Sequence, residues 1–322
     1  MPRKRRRDVI DESTVGVYHI WTRAARRAFL FGYDPRTGRN FDYRKRLLSK
    51  RIEALASVYA VEVCDDAVLD NHLHLILRNR PDLVPTWSDE EVARRWLRLN
   101  QANLKLEDPP DDEQIYAFVN DAKRLADARK ALSSISSFMK YLKCPAAVLF
   151  NIEDDCTGCF WQSRFSCERL KDDAALLVCS LYVNMNPIRA GMAKTIAKAE
   201  YTSAGARLAD AKARDKRRTK SGYLTSVHVD GDGYDGVGAG RRASNKGYLE
   251  LRFADYLDLL ETIVKRERIE KDGGEWLEYP SVVERLGIPV EEWEHAVRLT
   301  SRRFTRELKI MAAMKEEARY RK

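Results

Sequence analysis

The spacing of the apolar residues changes twice within the first eighty positions, and this change narrows the fold more than any other feature. From Phe41 to about Val58 the apolar positions recur at helical spacing, Leu48, Ile52, Leu55 and Tyr59, with Lys and Arg on the other face. On either side the pattern is that of strands. Val15 to Thr22 is rich in β-branched and aromatic residues. Tyr59 to Cys64 and Ala67 to Arg78 read as two more strands, with Asp65-Asp66 as the turn between them. A chain that runs strand, helix, strand, strand buries its apolar faces by laying the helix on a sheet.

Further along, Ser88-x-x-Glu91 forms a capping box for a helix carrying Val92, Trp96 and Leu99, which Pro109-Pro110 breaks. Helical pattern resumes from about Asp112 to Leu142. A loop with Pro145 and Gly158 leads to Phe160–Phe165, a predicted strand. Asp172-Asp173 cap a helix with Leu176, Leu177, Cys179 and Val183, and Pro187 and Gly191 terminate it. The order predicts an α+β fold, a ferredoxin-like antiparallel sheet with packed helices. This unit is expected over residues 15–204, with a helical insertion at about 80–143 and a basic arm over 1–14. Residues 205–246, charged and glycine-rich, are expected as a flexible exposed linker. Residues 247–322 are expected as a helical C-terminal extension, with helices from Tyr248 to about Ile269 and from about Pro280 to Phe304.

With 58 Lys and Arg against 49 Asp and Glu, the net charge is +9. Such a balance favours a polyanionic partner. The clusters Arg3 to Arg7, Arg23 with Arg26 and Arg27, and Lys216 to Arg218 sharpen that expectation. No apolar stretch reaches the ~20 residues that span a bilayer. The basic N-terminus is not followed by an apolar signal region, so the expectation is a cytoplasmic protein with no membrane partner. In that compartment the six cysteines are expected to stay thiols. Cys156-x-x-Cys159 lacks the second pair that a closed zinc site ordinarily uses.

Two groups of residues carry chemistry. His72 and His74 alternate with Leu73, Leu75 and Leu77, so both imidazoles lie on one side of a strand and the leucines on the other. They are placed to share a metal ion, or they are two polar histidines on a solvated face. Tyr182 and Asn186 stand four apart on one helix face. A phenol with a pKa of about 10 needs activation before it attacks anything. An amide oxygen is a good ligand for a hard or borderline cation. The other reading is that Tyr182 packs against the sheet and Asn186 caps the helix before Pro187.

Five segments occur in order: Tyr18-His19-Ile20, Arg23 through Phe31, Asn71-His72-Leu73-His74, Phe160 through Phe165, and Tyr182-Val183-Asn184-Met185-Asn186-Pro187-Ile188-Arg189-Ala190-Gly191. Over roughly residues 15–200 this series resembles the REP-associated tyrosine transposases, a branch of the insertion-sequence-200-like single-tyrosine transposases. The His-x-His piece is common; the Tyr-to-Gly piece is far more specific. The resemblance implies an HUH nuclease fold and a metal-dependent DNA strand transfer. It implies His72, His74 and Asn186 as ligands of a divalent ion, magnesium or manganese. It implies Tyr182 as a nucleophile that forms a 5′-phosphotyrosine and leaves a 3′-hydroxyl, which a second strand end later reseals. The partner expected is single-stranded or hairpin DNA, bound by a monomer or homodimer. Arg23, Arg26, Arg27, Arg164 and Arg189 are expected as DNA contacts, exposed or phosphate-touching rather than base-reading. Many members have an Asp where Asn184 stands. A domesticated protein that binds hairpins without cutting, or another HUH endonuclease such as a replication initiator or relaxase, stays open at this level.

Overall fold

Each strand alternates between two buried faces, and that alternation builds the architecture. In the computed structural model, β1 (Gly16–Arg23), β2 (Val61–Val68), β3 (His72–Asn79) and β4 (Ser166–Leu170) form one antiparallel sheet in the order β2-β3-β1-β4. With α1 (Asp42–Val58) between β1 and β2, this is the expected ferredoxin-like arrangement. The structure describes residues 5–25, 29–35, 37–99, 104–213, 219–230 and 241–271, with positions 283 and 291. Arg26, Arg27 and Lys216 to Arg218 lie outside the described residues, as does nearly all of the helical segment expected near 280–304.

On one face Tyr18, Ile20, Leu73, Leu75 and Leu77 join Leu48, Ile52 and Leu55 of α1 in a continuous core. Between β3 and β4 come α2 (Asp89–Leu97), α3 (Asp112–Val119), α4 (Ala122–Leu132) and α5 (Ile135–Glu153), and α5 completes that core with Ile135, Phe138 and Leu142. The opposite face is covered by α6 (Asp173–Arg189), and α7 (Ser203–Lys212) and α8 (Phe253–Lys271) follow it. Leu176, Leu181, Met185, Leu208, Tyr256 and Leu259 make a second core there with Ile76. Among the described residues no helix is long and apolar enough to cross a membrane.

Several boundaries differ from expectation, for physical reasons. Asp65-Asp66 is not a turn: β2 runs through both residues, with a bulge near Cys64, and the chain reverses at Leu69–Asn71. Both carboxylates are buried and hydrogen-bonded, which a period-two reading cannot foresee. Phe160–Phe165 is not a strand; only Trp161 bridges to Ala24, and β4 begins at Ser166. Ser88 caps α2 by accepting from the Glu91 amide, but the Glu91 carboxylate pairs with Arg95 instead of returning to the cap.

The helical pattern from 112 to 142 resolves into three helices, and α5 continues through Pro145 to Glu153. A proline cannot donate to the carbonyl four residues back, here Tyr141. The buried Arg51 fills the gap: its Nε donates to the Tyr141 carbonyl at 3.1 Å. Pro187 likewise lies inside α6. The helix ends at Gly191, whose φ of 71° closes a Schellman motif with Gly191 N–H donating to Ile188 O and Met192 N–H to Pro187 O.

The described parts of the expected linker are packed. Residues 203–212 are helical, Tyr223, Leu224 and Val227 are buried, and Thr225 N–H donates to Val63 O on β2. The described part of the N-terminal arm is also docked. Ile10 is buried, and the Asn79 amide donates to the Asp11 and Thr14 carbonyls.

Candidate active site

The register of the sheet assembles the site. On the face beneath α6, β3 presents His72 and His74, and β1 presents His19, Trp21 and Arg23. Arg23 stands directly opposite His72, and Trp21 opposite His74. On the other side of β1, Glu168 stands opposite His19. Directly opposed residues in an antiparallel pair share a face with Cβ atoms about 5 Å apart, so these side chains form one patch.

The histidine face is not solvated. His72 is 3% exposed, His74 1% and His19 5%. Burial, with the His74 ring and the Arg23 charge, pushes the His72 pKa well below 6.5. Burial and Arg23 lower His74 to about 3. Both imidazoles are therefore neutral at physiological pH, the form in which a nitrogen lone pair can bind a cation. His72 Nδ1 lies 2.6 Å from Asn71 Oδ1, an atom that only accepts, so Nδ1 carries the proton and Nε2 the lone pair. His74 Nδ1 lies 3.0 Å from His19 Nε2.

Above the patch lies α6. Asp172 caps its N-terminus, accepting from the Ala175 amide at 2.7 Å. One face of the helix carries Tyr182, Asn186 and Arg189, spaced four and three apart. The Tyr182 ring stands edge-on to both histidines beneath it, with centroids 5.4 Å from His74 and 5.9 Å from His19. Asn186 does not cap the helix. Its Nδ2 donates back to the Tyr182 carbonyl at 3.0 Å, and its Oδ1 is buried without a hydrogen-bond partner, as is His74 Nε2.

A buried carboxylate fixes this helix. Asp65 on β2 accepts from Ser180 and Asn184 of α6, from Ser203 and Arg207 of α7, and from Tyr248. Arg207 also donates to the carbonyls of Cys64 and Thr225. The strand beside the histidines, the tyrosine helix and the segment after it thus meet in one satisfied polar cluster.

The structure brings together His72, His74, Tyr182 and Arg23. Arg189 shares the Tyr182 face of α6 and is buried. Arg164 is exposed and lines a groove of about 990 Å³ with Arg5, Arg6, Arg7 and Arg169. His19 was not singled out from sequence as a site residue. Its signal was parity: it lies two and four residues from Trp21 and Arg23 and so shares their face once β1 pairs with β3. Among the described residues no group of three or more His, Cys, Asp or Glu is arranged to hold a metal ion. The donors on this face are two imidazoles and one amide oxygen, neutral groups of a kind that a divalent ion accepts, and His74 Nε2 and Asn186 Oδ1 are buried without a hydrogen-bond partner.

No protein-family model matches the chain, and no curated protein matches it. Among solved structures the chain is similar to that of a REP-associated tyrosine transposase bound to a REP hairpin. The identity is 15% and the TM-score 0.38, over 69% of this chain and 96% of that one.

Proposed function

We propose that this chain is a divalent-metal-dependent strand transferase of the HUH single-tyrosine type, acting on single-stranded or hairpin DNA in the cytoplasm as a monomer or homodimer. The observation that carries this reading is the meeting of His72, His74 and Tyr182 on one buried face, with His74 Nε2 and Asn186 Oδ1 unpartnered beside a neutral imidazole pair. His72 and His74 would hold a magnesium or manganese ion through their Nε2 atoms, and Asn186 through Oδ1. The ion, when bound, supplies Lewis-acid polarisation of the scissile phosphate.

Tyr182 Oη attacks the phosphorus, the bond to the 3′-oxygen breaks, and the phenolic proton ends on that oxygen. The products are a 5′-phosphotyrosine and a free 3′-hydroxyl. Attack by a second 3′-hydroxyl reverses the exchange, so the phosphodiester is conserved and no water is consumed. The work left to the protein is positioning and charge stabilisation. Arg23, opposite His72 and acting electrostatically on both histidines, and Arg189, on the Tyr182 face of α6, would supply positive charge to the phosphate. The proposed ligands include no carboxylate, so negative charge to balance a dication would come from the DNA phosphate.

One observation favours a second reading. Tyr182 is only 6% exposed, which leaves a phosphate little access to it. A protein that binds hairpins and does not cut would keep this site closed. Incubation with single-stranded hairpin DNA and Mn²⁺, followed by denaturing electrophoresis and peptide mass spectrometry, separates the readings. Strand transfer requires a covalent DNA adduct on Tyr182 that Tyr182→Phe lacks. Gel-shifted complexes without an adduct in either protein support the binder. An adduct that persists in Tyr182→Phe refutes the assignment of the nucleophile.

A further inference from the structure

We infer that His19 is a positioning residue for His74: it accepts a hydrogen bond from His74 Nδ1–H and so fixes Nε2 as the lone-pair nitrogen of His74. The inference rests on the metal-site reading above and adds to it a residue outside the ligand set.

The two nitrogens lie 3.0 Å apart and share one proton. Their rings are nearly parallel, 16° apart with centroids at 5.2 Å, so the contact holds the plane of His74 as well as its distance. Two arrangements are possible. If His19 Nε2–H donates, His74 carries its own proton on Nε2, and that N–H is buried with no acceptor. An unsatisfied buried donor is costly and is the rarer kind of orphan. If His74 Nδ1–H donates, Nε2 is a bare lone pair, which a cation can use.

Two further features favour the second arrangement. His72 is held in the same way, through Nδ1 to Asn71 Oδ1, so both histidines would present Nε2. His19, once it accepts at Nε2, carries its own proton on Nδ1. Glu168, a half-buried carboxylate, stands directly opposite His19 in the β1–β4 register, on the same face of the sheet, and would be the acceptor for that proton. A chain of carboxylate, His19 and His74 then sets one tautomer throughout. Outer partners of this kind hold a ligating histidine in place and typically change metal affinity 10–100-fold when removed.

The test uses the full chain with Mn²⁺ alone as the probe. Long-range ¹H–¹⁵N spectra of the metal-free protein report which nitrogen of His74 is protonated, and calorimetry gives the Mn²⁺ affinity. The wild type should show His74 protonated on Nδ1. His19→Phe should move that proton toward Nε2 and weaken Mn²⁺ binding roughly 10–100-fold. His19→Gln, whose amide oxygen can accept the same bond, should restore the tautomer and most of the affinity. A wild-type His74 protonated on Nε2 would overturn the inference. So would a His19→Phe protein that melts lower but keeps both tautomer and affinity, because that is the behaviour of a packing residue. If His19→Phe does not fold, the wild-type spectrum and His19→Gln still decide. His72→Ala and His74→Ala separate the two layers: unchanged Mn²⁺ binding in both removes the metal reading, while the tautomer measurement judges His19 independently.

Discussion

The side-chain amide of Asn184 donates to Asp65 at 3.0 Å and so ties the helix of Tyr182 to the strand beside the histidines. Asp65 is fully buried and takes a donor from Asn184, which an aspartate at that position could not supply. A second carboxylate there would face Asp65, whose ion-pair partner among the described residues is Arg207. Asn184→Asp should therefore destabilise the protein by roughly 3 kcal/mol, the scale of an uncompensated buried charge. The double variant Asp65→Asn with Asn184→Asp should recover part of that loss, because Arg207 again meets one carboxylate. Urea unfolding checks both. An Asn184→Asp midpoint equal to that of the wild type contradicts the account.

The histidine pair was legible because alternation in a strand is local: Leu73 and Leu75 go to one core, and His72 and His74 to the other face. Tyr182 and Asn186 were legible for the same reason, since helical spacing is local too. The contacts that build the site were not. Asp65 looked like a turn residue because its partners Ser180, Ser203, Arg207 and Tyr248 are more than a hundred positions away. Residues 219–230 looked like linker because Val227 and Leu224 bury themselves on distant elements and not through a local period. Whether Arg189 would be exposed was not legible either, because charge alone does not say which helix face is covered.

Pro145 and Arg51 form a compensating pair that a double-mutant cycle can measure. Arg51→Met removes the hydrogen bond that Arg51 Nε donates to the Tyr141 carbonyl, which Pro145 cannot serve. In a Pro145→Ala background the helix regains its own N–H for that carbonyl. The loss on Arg51→Met should be smaller in that background by about 1 kcal/mol, one net hydrogen bond. A coupling indistinguishable from zero in urea unfolding would mean that the two sites are independent.

Gly191 ends the tyrosine helix at a φ of 71°, with open space where a Cβ would stand. Strain in the left-handed region is then the only cost of a side chain. Gly191→Ala should lose about 1 kcal/mol, and Gly191→Asn, which tolerates that region, distinctly less. Equal thermal midpoints for the two variants would count against a strain origin. Because Asn186, Pro187 and Ile188 supply the carbonyls of this cap, Gly191→Ala should also fray the turn that holds Asn186, visible as faster amide exchange at Ala190 and Met192.

Asp66 gives the fold a pH dependence of definite sign. Burial raises its pKa from 3.8 to about 7, against the smaller effect of the Tyr223 hydroxyl, which donates to it at 3.1 Å. Between those values the folded protein holds a proton that the unfolded chain has released. Stability from this residue is therefore lost as pH rises from about 4 to about 7, and changes little beyond. Asn at this position keeps an acceptor for Tyr223 and cannot ionise. The stability of Asp66→Asn relative to wild type should climb across that window and then level off, with a total change of up to roughly 4 kcal/mol. Urea midpoints at pH 4.5, 6 and 8 measure it. Parallel curves for the two proteins would show that Asp66 keeps an ordinary carboxylate pKa despite its burial.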